Sequence, residues 1–274
     1  MTVSLPLSPQ VFAILSALIE ERTGLHYDIS ELELFGERVS GRASERGFES
    51  LLDYYYFLRY DADADAELSL LVEALVVNET YFFRELAPLK VVVGDLVPQL
   101  LARGVQPRIW CAACSTGEEP LTLAMLLDEA GLLNQVTLVA SDISARVLAH
   151  ARAGVFRRRS LRSLPPGVVG RWLEGDDDGM RVAPHIARAV TWHRVNLADE
   201  REPSALGVFD IIICRNVLIY FRDQTIEQVV DRLWQQLTPD GQLLVGASES
   251  LLRFKVAFAC EEHRASFFYR RLPK

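Results

Sequence analysis

The sequence predicts an α/β protein in which a helical N-terminal region precedes a mostly parallel β-sheet. Apolar residues recur at helical spacing through residues 1–88, whereas from about residue 105 apolar strands alternate with helices. Such alternation is typical of parallel sheets, because each crossover helix returns the chain to the same edge. We therefore expect an all-α domain over residues 1–88 and an α/β domain over residues 89–274.

Four helices are expected in the N-terminal domain. Pro9 stands at the first position of one, and Ser30, with Glu33 three residues later, forms a capping box at the start of the second. The third helix is expected at about 49–60 and the fourth at 67–77. The third carries aromatic residues that we expect mostly in the core: Tyr54, Tyr55, Tyr56 and Phe57.

Three arginines of the second helix, Arg38, Arg42 and Arg46, recur every four residues and therefore share one face. This stripe is either a solvated face balanced by Glu37 and Glu45, or a surface on which a partner docks. The sequence leaves both interpretations open.

Six strands are expected in the second domain. They are placed at 108–113, 136–141, 190–194, 209–214, 242–246 and 267–271. Ligands of open parallel sheets bind at the carboxyl ends of the strands, so polar residues that follow each strand are candidates for a site.

Residues 109–125 are the most informative segment of the chain. An apolar run ends in a turn of small residues, Cys114 to Gly117, and an apolar-periodic helix follows. Small residues let a nucleotide approach the backbone, and the free N–H groups of the helix start point toward it. Glu118 and Glu119 would repel a pyrophosphate there but suit a ligand with a cationic end and sugar hydroxyls. The segment favours S-adenosylmethionine over a dinucleotide, and the missing G-x-G-x-x-G argues against an NAD-dependent dehydrogenase.

Three further strand ends carry residues suited to a nucleoside. Asp142 comes 25 residues after the glycine of that turn, close to the ~20 expected for a carboxylate that binds ribose hydroxyls. Asn196 and Leu197 follow the third strand and combine an amide with an apolar side chain that suits adenine. Arg215 and Asn216 follow the fourth strand. Together these strand ends predict a nucleoside pocket.

Residues 150–189 interrupt the alternation and are expected to form an insertion of short strands and a turn. The segment carries five closely spaced arginines: Arg152, Arg157, Arg158, Arg159 and Arg162. They either dock an acidic partner or form a solvated surface whose charge is balanced internally.

Composition excludes several classes of protein. The formal net charge of −8 argues against nucleic acid as the main partner. No apolar stretch reaches the ~20 residues of a membrane span, and Met1 to Gln10 lack the pattern of a signal peptide. We therefore expect a cytoplasmic protein without direct membrane insertion.

Cys111 and Cys114 form a C-x-x-C pair, but the histidines show no spacing typical of metal ligands. We expect no metal site, and interpret the pair as small residues on a buried strand and its turn.

Four motifs in order resemble the chemotaxis receptor glutamate methyltransferases, the CheR family. They are Asn78–Glu85 (NETYFFRE), Ala113–Pro120 (ACSTGEEP), Ala140–Asp142 (ASD) and Cys214–Phe221 (CRNVLIYF). One of them lies outside the nucleotide-binding element, and the similarity extends from residue 8 to residue 271.

The resemblance implies a Rossmann-like, class I methyltransferase domain that depends on S-adenosylmethionine and forms S-adenosylhomocysteine. It implies a small β-subdomain inserted at about 150–189. By similarity, the cofactor-binding residues are Asn78, Thr80, Arg84, Ala113, Glu118, Asp142, Ile143, Asn196, Leu197, Arg215 and Asn216. Arg84 and Tyr220 would lie nearest the transferred methyl group.

The resemblance further implies that a monomer methylates glutamates on the cytoplasmic helices of chemoreceptors, docked through Arg38, Arg42 and Arg46. A glutamate with an ordinary pKa of ~4.3 is already ionised at neutral pH, so no general base is needed. The alternative is a regulatory or scaffold module that binds the cofactor without turnover. For Arg84 the alternative role is an interdomain salt bridge, and for Tyr220 it is packing.

Overall fold

The computed structural model describes residues 5–176 and 178–273. Met1 to Ser4, at the start of the segment examined for a signal peptide, lie outside this range, as does Asp177 in the predicted insertion. The chain divides into two compact units. One holds the described residues up to Val77 together with Tyr220–Ile226, and the other holds Asn78–Ile219 and the chain from Glu227 onward. The expected boundary at residue 88 stays a prediction.

The described α-helices follow the chain in this order: α1 (Pro9–Thr23), α2 (Leu32–Glu45), α3 (Leu51–Tyr60), α4 (Ala64–Leu75), α5 (Leu86–Val91), α6 (Val97–Ala102), α7 (Glu118–Glu129), α8 (Ala145–Ala153), α9 (Pro184–Ala187) and α10 (Asp223–Gln235). Helices α1 to α4 belong to the first unit. Among the described residues, no helix is both long and apolar enough to span a membrane.

The capping box of the second helix lies two residues earlier than expected. The Asp28 carboxylate accepts a hydrogen bond from Ser30 N–H, and the Glu31 carboxylate accepts one from the Asp28 N–H. This box starts a short 3₁₀ turn, Ile29–Glu31, that leads into α2. The Ser30/Glu33 prediction was wrong because Asp28 caps the 3₁₀ turn in front of α2, and α2 continues from that turn without a side-chain cap of its own.

The aromatic cluster of α3 is only partly buried. Tyr54 is inaccessible to solvent, whereas Tyr56 is 52% exposed. The expectation that these rings lie mostly in the core was therefore wrong for Tyr56, because consecutive residues of a helix point in different directions.

Arg42, in the middle of the arginine stripe, pairs with a buried carboxylate of the same unit. Its Nε and Nη2 donate to Glu67 over 2.6 and 2.8 Å, and the Tyr54 hydroxyl donates to the same carboxylate over 2.8 Å. Arg38 donates to the Leu75 carbonyl. Much of the stripe therefore holds α2 against α3 and α4.

The described strands are β1 (Arg108–Ala112), β2 (Thr137–Asp142), β3 (Val155–Phe156), β4 (Leu173–Asp176), β5 (Gly179–Val182), β6 (Val190–Arg194), β7 (Phe209–Cys214), β8 (Leu237–Val245), β9 (Phe258–His263) and β10 (Ser266–Arg271). Seven of them form one sheet in the order β6-β2-β1-β7-β8-β10-β9. The first five strands of that order run parallel to one another. Strand β10 runs antiparallel to both of its neighbours, β8 and β9.

The sheet confirms the α/β prediction and extends it at one edge. Strand β9 was not predicted, because the consecutive polar residues Glu261, Glu262 and His263 break the alternation of apolar and polar residues that is typical of a strand. Strand β8 begins at Leu237, five residues before the expected start, because Leu237 pairs with Phe209 ahead of a register shift.

The predicted insertion forms a separate three-stranded sheet of order β3-β5-β4. It follows α8, and Gly154, which caps the C-terminal end of that helix, has the left-handed backbone conformation. Phe156, on the first of these strands, is fully buried against Phe82, with ring centroids 4.8 Å apart.

The cysteine pair is part of the core, as expected. Cys111 and Cys114 are buried free thiols, and burial raises the pKa of both well above the ordinary thiol value. Buried thiols with raised pKa values are poor nucleophiles and poor metal ligands, which fits a packing role.

Candidate functional site

Four adjacent parallel strands bring most of the predicted site residues to one edge of the sheet. Ala112, the last residue of β1, lies opposite Ser141 of β2 and Cys214 of β7. Asp142 lies opposite Arg194 at the end of β6. The residues that follow these strands therefore emerge side by side, where ligands of open α/β sheets bind.

The turn between β1 and α7 needs three residues with positive φ. Ala113 has φ 54°, Ser115 has φ 50° and Gly117 has φ 93°. A Cβ on Gly117 would lie 2.7 Å from both Ala151 and Trp192. Glycine is therefore required there, and the tight turn leaves the first N–H groups of α7 at the edge of the sheet.

Asp142 fastens this turn to the end of β2. Its carboxylate accepts hydrogen bonds from Ser115 N–H over 2.8 Å and from Ser144 N–H over 3.0 Å. The next residue, Ile143, is half-buried and accepts from Arg194 through its carbonyl. A carboxylate held by two backbone donors keeps a fixed position from which its remaining lone pairs can accept hydroxyl protons.

Glu118 is the first residue of α7, and only 1% of its surface is exposed. Thr116 Oγ1 donates to one of its oxygens and Ser160 Oγ to the other, each over 2.7 Å. Within the described residues, Glu118 forms no ion pair with a cationic side chain. A buried carboxylate with only neutral donors is suited to a cationic ligand group.

Arg215 lies at the centre of a buried ion cluster. Its guanidinium donates to Glu119 over 2.6 Å and to Glu85 over 2.7 Å, and its side chain is 1% exposed. Burial raises the pKa of Glu119 although Arg215 opposes the shift. At Glu85, burial also acts upward, but the hydrogen bond and charge of Arg215 outweigh it and lower the pKa. The Nε of Arg215 is buried and lacks a hydrogen-bond partner within the described chain. The expected contact of Arg215 with the cofactor stays a prediction.

Glu249 organises the loop after β7, and the sequence reasoning missed it. This carboxylate is 6% exposed and accepts hydrogen bonds from the N–H groups of Asn216, Val217, Leu218 and Gly246 over 2.6–2.8 Å. Asn216 has φ 59°, and its side chain helps to lower the pKa of Glu85. The signal was available, because Gly246 and Glu249 follow β8 as the other site residues follow their strands.

Segment 78–85 brings Arg84 to this unit. Asn78 and Thr80 are half-buried, in chain without regular structure. Arg84 donates to the Glu79 carbonyl over 2.9 Å, and its Nε lies 3.8 Å from Glu85. Phe83 and Glu85, on either side of Arg84, have φ values of 60° and 45°. Positive φ values cost energy in residues other than glycine, so the surrounding structure holds this segment in place.

Asn196 and Leu197 follow β6. The Asn196 carboxamide oxygen accepts from Ala198 N–H over 3.0 Å, and the Asn196 N–H donates to Glu202. Leu197 is 6% exposed. Both residues therefore have the fixed positions that a base-binding loop requires.

Tyr220 belongs to the helical unit. Its carbonyl accepts a hydrogen bond from His26 N–H over 2.9 Å, and Phe221 forms a β-bridge with Leu25. Arg222 lies 3.2 Å from Glu20. The motif that contains Tyr220 therefore crosses from one compact unit of the chain to the other.

The carboxylates at this edge of the sheet suit S-adenosylmethionine. The buried Glu118 carboxylate fits its ammonium group, and Asp142 fits the ribose diol. The buried Ser115 Oγ lacks a hydrogen-bond partner in the described chain, so the turn retains an unused polar atom. A carboxylate at the first position of α7, where a dinucleotide would place its pyrophosphate, does not suit a dinucleotide.

Two family models match the chain. Residues 78–267 match "CheR methyltransferase, SAM binding domain", and residues 10–76 match "CheR methyltransferase, all-alpha domain". The two matched segments meet at residue 77.

Curated relatives match over most of their length. The chemotaxis protein methyltransferase 2 of Vibrio cholerae is 34% identical over 255 residues, which cover 91% of this chain and 88% of the relative. The chemotaxis protein methyltransferase 1 of Pseudomonas aeruginosa is 32% identical over 250 residues, with coverage of 88% and 90%.

Among solved structures, magnesium protoporphyrin IX methyltransferase from Synechocystis, with bound SAM, is similar. The sequence identity is 15% and the TM-score 0.35, with coverage of 80% of this chain and 88% of that chain.

Proposed function

Because this chain belongs to the CheR family of methyltransferases, we propose that it transfers a methyl group from S-adenosylmethionine to glutamate side chains on the cytoplasmic helices of chemoreceptors. The observation that carries this proposal is the pair of carboxylates, Glu118 and Asp142, beside a glycine turn at the carboxyl edge of the sheet. This arrangement suits the cationic amino-acid end and the ribose of that cofactor. S-adenosylmethionine is the cofactor of the family.

The reaction joins a carboxylate oxygen to the methyl carbon while the carbon–sulfur bond breaks. When bound, the cofactor supplies a methyl group made electrophilic by its sulfonium, and S-adenosylhomocysteine is left. The glutamate is already ionised at neutral pH, since its ordinary pKa is ~4.3. The protein therefore has to position the reactants rather than move a proton, and orientation alone lowers barriers by several kcal/mol.

Arg84 is the residue that we assign to the incoming carboxylate. Its side chain is 26% exposed, and the nearby carboxylate of Glu85 is also paired with Arg215. Donors therefore remain for a charge-assisted hydrogen bond to the substrate glutamate. Tyr220 is assigned to framing the methyl group, and Asn78 and Thr80 to the cofactor.

For docking of the receptor helices, we propose the second helix of the N-terminal unit. We assign the docking contact chiefly to Arg46, whose side chain is 44% exposed and whose distance to Glu67, 3.8 Å, is longer than that of Arg42. Arg42 is paired with Glu67 and Glu45, which neutralise its charge, so its part in docking is the smaller one.

The test is incubation of the chain with methyl-labelled S-adenosylmethionine and a receptor cytoplasmic fragment. Label on the fragment, lost when Arg84 is replaced by alanine, supports the proposal. Cofactor binding without label on any of a panel of receptor fragments contradicts it and favours a binding module without turnover.

A further inference from the structure

One hydrogen bond links the β-subdomain insertion to the cofactor site. Ser160 lies between β3 and β4, and its hydroxyl donates to Glu118 Oε1 over 2.7 Å. Glu118 lies 42 positions earlier in the chain, on another element. Because Thr116 uses the other oxygen, each carboxylate oxygen has one internal donor and keeps acceptor capacity.

The backbone around Ser160 is held on both sides. Its carbonyl accepts from Phe82 N–H over 2.9 Å, and its own N–H donates to the Arg157 carbonyl over 2.9 Å. These bonds fix the position of residue 160 independently of its hydroxyl.

Neighbouring arginines anchor the same segment to the chain before Arg84. Arg159 and Arg162 both pair with the Glu79 carboxylate, the latter over 2.7 Å. The Arg162 guanidinium also lies 3.8 Å from the centre of the Tyr81 ring. The hydrogen bond of Arg159 is the main reason that the pKa of Glu79 is lowered. Segment 157–162 is therefore attached at several points beside the cofactor site.

We propose that Ser160 is a positioning residue for cofactor binding: its hydroxyl orients the Glu118 carboxylate toward the ammonium group of S-adenosylmethionine and S-adenosylhomocysteine. This inference rests on the proposed function and goes beyond it by giving the insertion a part in ligand recognition. Loss of the hydroxyl leaves Glu118 with one internal donor, and the carboxylate loses its fixed direction. Affinity for ligands that carry the amino-acid part falls, whereas affinity for the nucleoside part does not.

The experiment compares two ligands by calorimetry with the whole chain. S-adenosylhomocysteine carries the amino-acid part, and 5′-methylthioadenosine lacks it. In Ser160→Ala, the Kd for S-adenosylhomocysteine rises roughly tenfold, as expected for loss of a hydrogen bond to a charged group, while the Kd for 5′-methylthioadenosine is unchanged. Ser160→Thr keeps a hydroxyl and recovers most of the affinity. Ser163→Ala, at an exposed position of the same segment, leaves both values unchanged.

A further variant separates positioning from general stability. In Glu118→Gln, the additional Ser160→Ala change has less effect on S-adenosylhomocysteine than in the wild-type chain, because the charge that Ser160 positions is gone. Equal weakening of both ligands in Ser160→Ala overturns the inference and assigns Ser160 a structural role. An unchanged Kd for S-adenosylhomocysteine also overturns it. A wild-type chain that binds neither ligand overturns the proposed function, and this inference with it.

Discussion

The Glu249 carboxylate accepts a hydrogen bond from Asn216 N–H over 2.6 Å, and this bond joins the loop after β8 to the loop after β7. The same carboxylate accepts from Val217, Leu218 and Gly246. A single buried carboxylate thus accepts hydrogen bonds from three consecutive N–H groups, those of residues 216–218, in the motif that contains Tyr220. Backbone N–H groups in a buried loop need such partners, because an unpaired buried donor is costly.

Replacement of Glu249 by glutamine is expected to destabilise the protein by about 2–3 kcal/mol, since hydrogen bonds to a charged group are replaced and an amide NH₂ is placed among backbone donors. Urea unfolding measures this difference. The matched control is Glu262→Gln, at an exposed position of β9. Equal stability of the two variants would show that Glu249 does not organise the loop.

Gly246→Ala tests the same contact from the opposite side. A Cβ at residue 246 would lie 2.5 Å from Glu249 Oε2 and 3.1 Å from Asn216 N, so the Glu249 carboxylate and the loop that it binds must shift. We expect a loss of about 1–3 kcal/mol from overpacking. Gly94→Ala is the control, because a Cβ there meets nothing within 4 Å. Thermal unfolding that gave both variants the wild-type midpoint would contradict the described geometry.

The helical unit is expected to lose stability in acid through Glu67. Burial acts to raise the pKa of this carboxylate, but the hydrogen bonds from Arg42 and Tyr54 outweigh it, and the folded pKa lies below its ordinary value. A lowered folded pKa contributes stability that is fully present above the unfolded pKa of ~4.3 and is lost as the pH falls through the folded value.

Unfolding measured between about pH 5 and pH 2 checks this prediction. In Glu67→Gln, the dependence of stability on pH should be shallower than in the wild-type chain, although the variant is less stable at neutral pH. Parallel pH profiles would rule out Glu67 as a source of acid sensitivity.

Arg84 is expected to act mainly on turnover. Arg84→Ala should lower kcat about 100-fold, the scale of effect seen when a reactant is misplaced by about 1 Å. Arg84→Lys should recover part of the rate, because a lysine keeps the charge but loses the two-pronged geometry. Steady-state kinetics with a receptor fragment give these values, and near-normal turnover by Arg84→Ala would defeat the assigned role.

The site residues that could be predicted from the sequence are those at the ends of strands and in the tight turn after β1. Asp142 ends β2, Asn196 and Arg215 follow β6 and β7, and parallel strands place their ends at one edge. The turn at Gly117 was likewise predictable, because tight strand–turn–helix connections need small residues.

Partners that come from distant parts of the chain could not be predicted. Ser160 reaches Glu118 across 42 positions, and Arg215 reaches Glu119 across 96. No local spacing records such pairs, since they depend on how the strands cross over. The arginine stripe shows the same limit: the sequence placed Arg42 on one face but did not reveal that Glu67 lies opposite.

The most direct test of the central claim concerns the bond that is formed. A receptor cytoplasmic fragment, labelled by this chain with methyl-labelled S-adenosylmethionine, is treated with mild alkali, and volatile methanol is counted. A carboxyl methyl ester hydrolyses under these conditions, so we expect the label to be released as methanol and the glutamates of the fragment to regain their free form. Label that stays on the protein after alkali would place the methyl group on nitrogen or another stable position, and would contradict a glutamate methyltransferase.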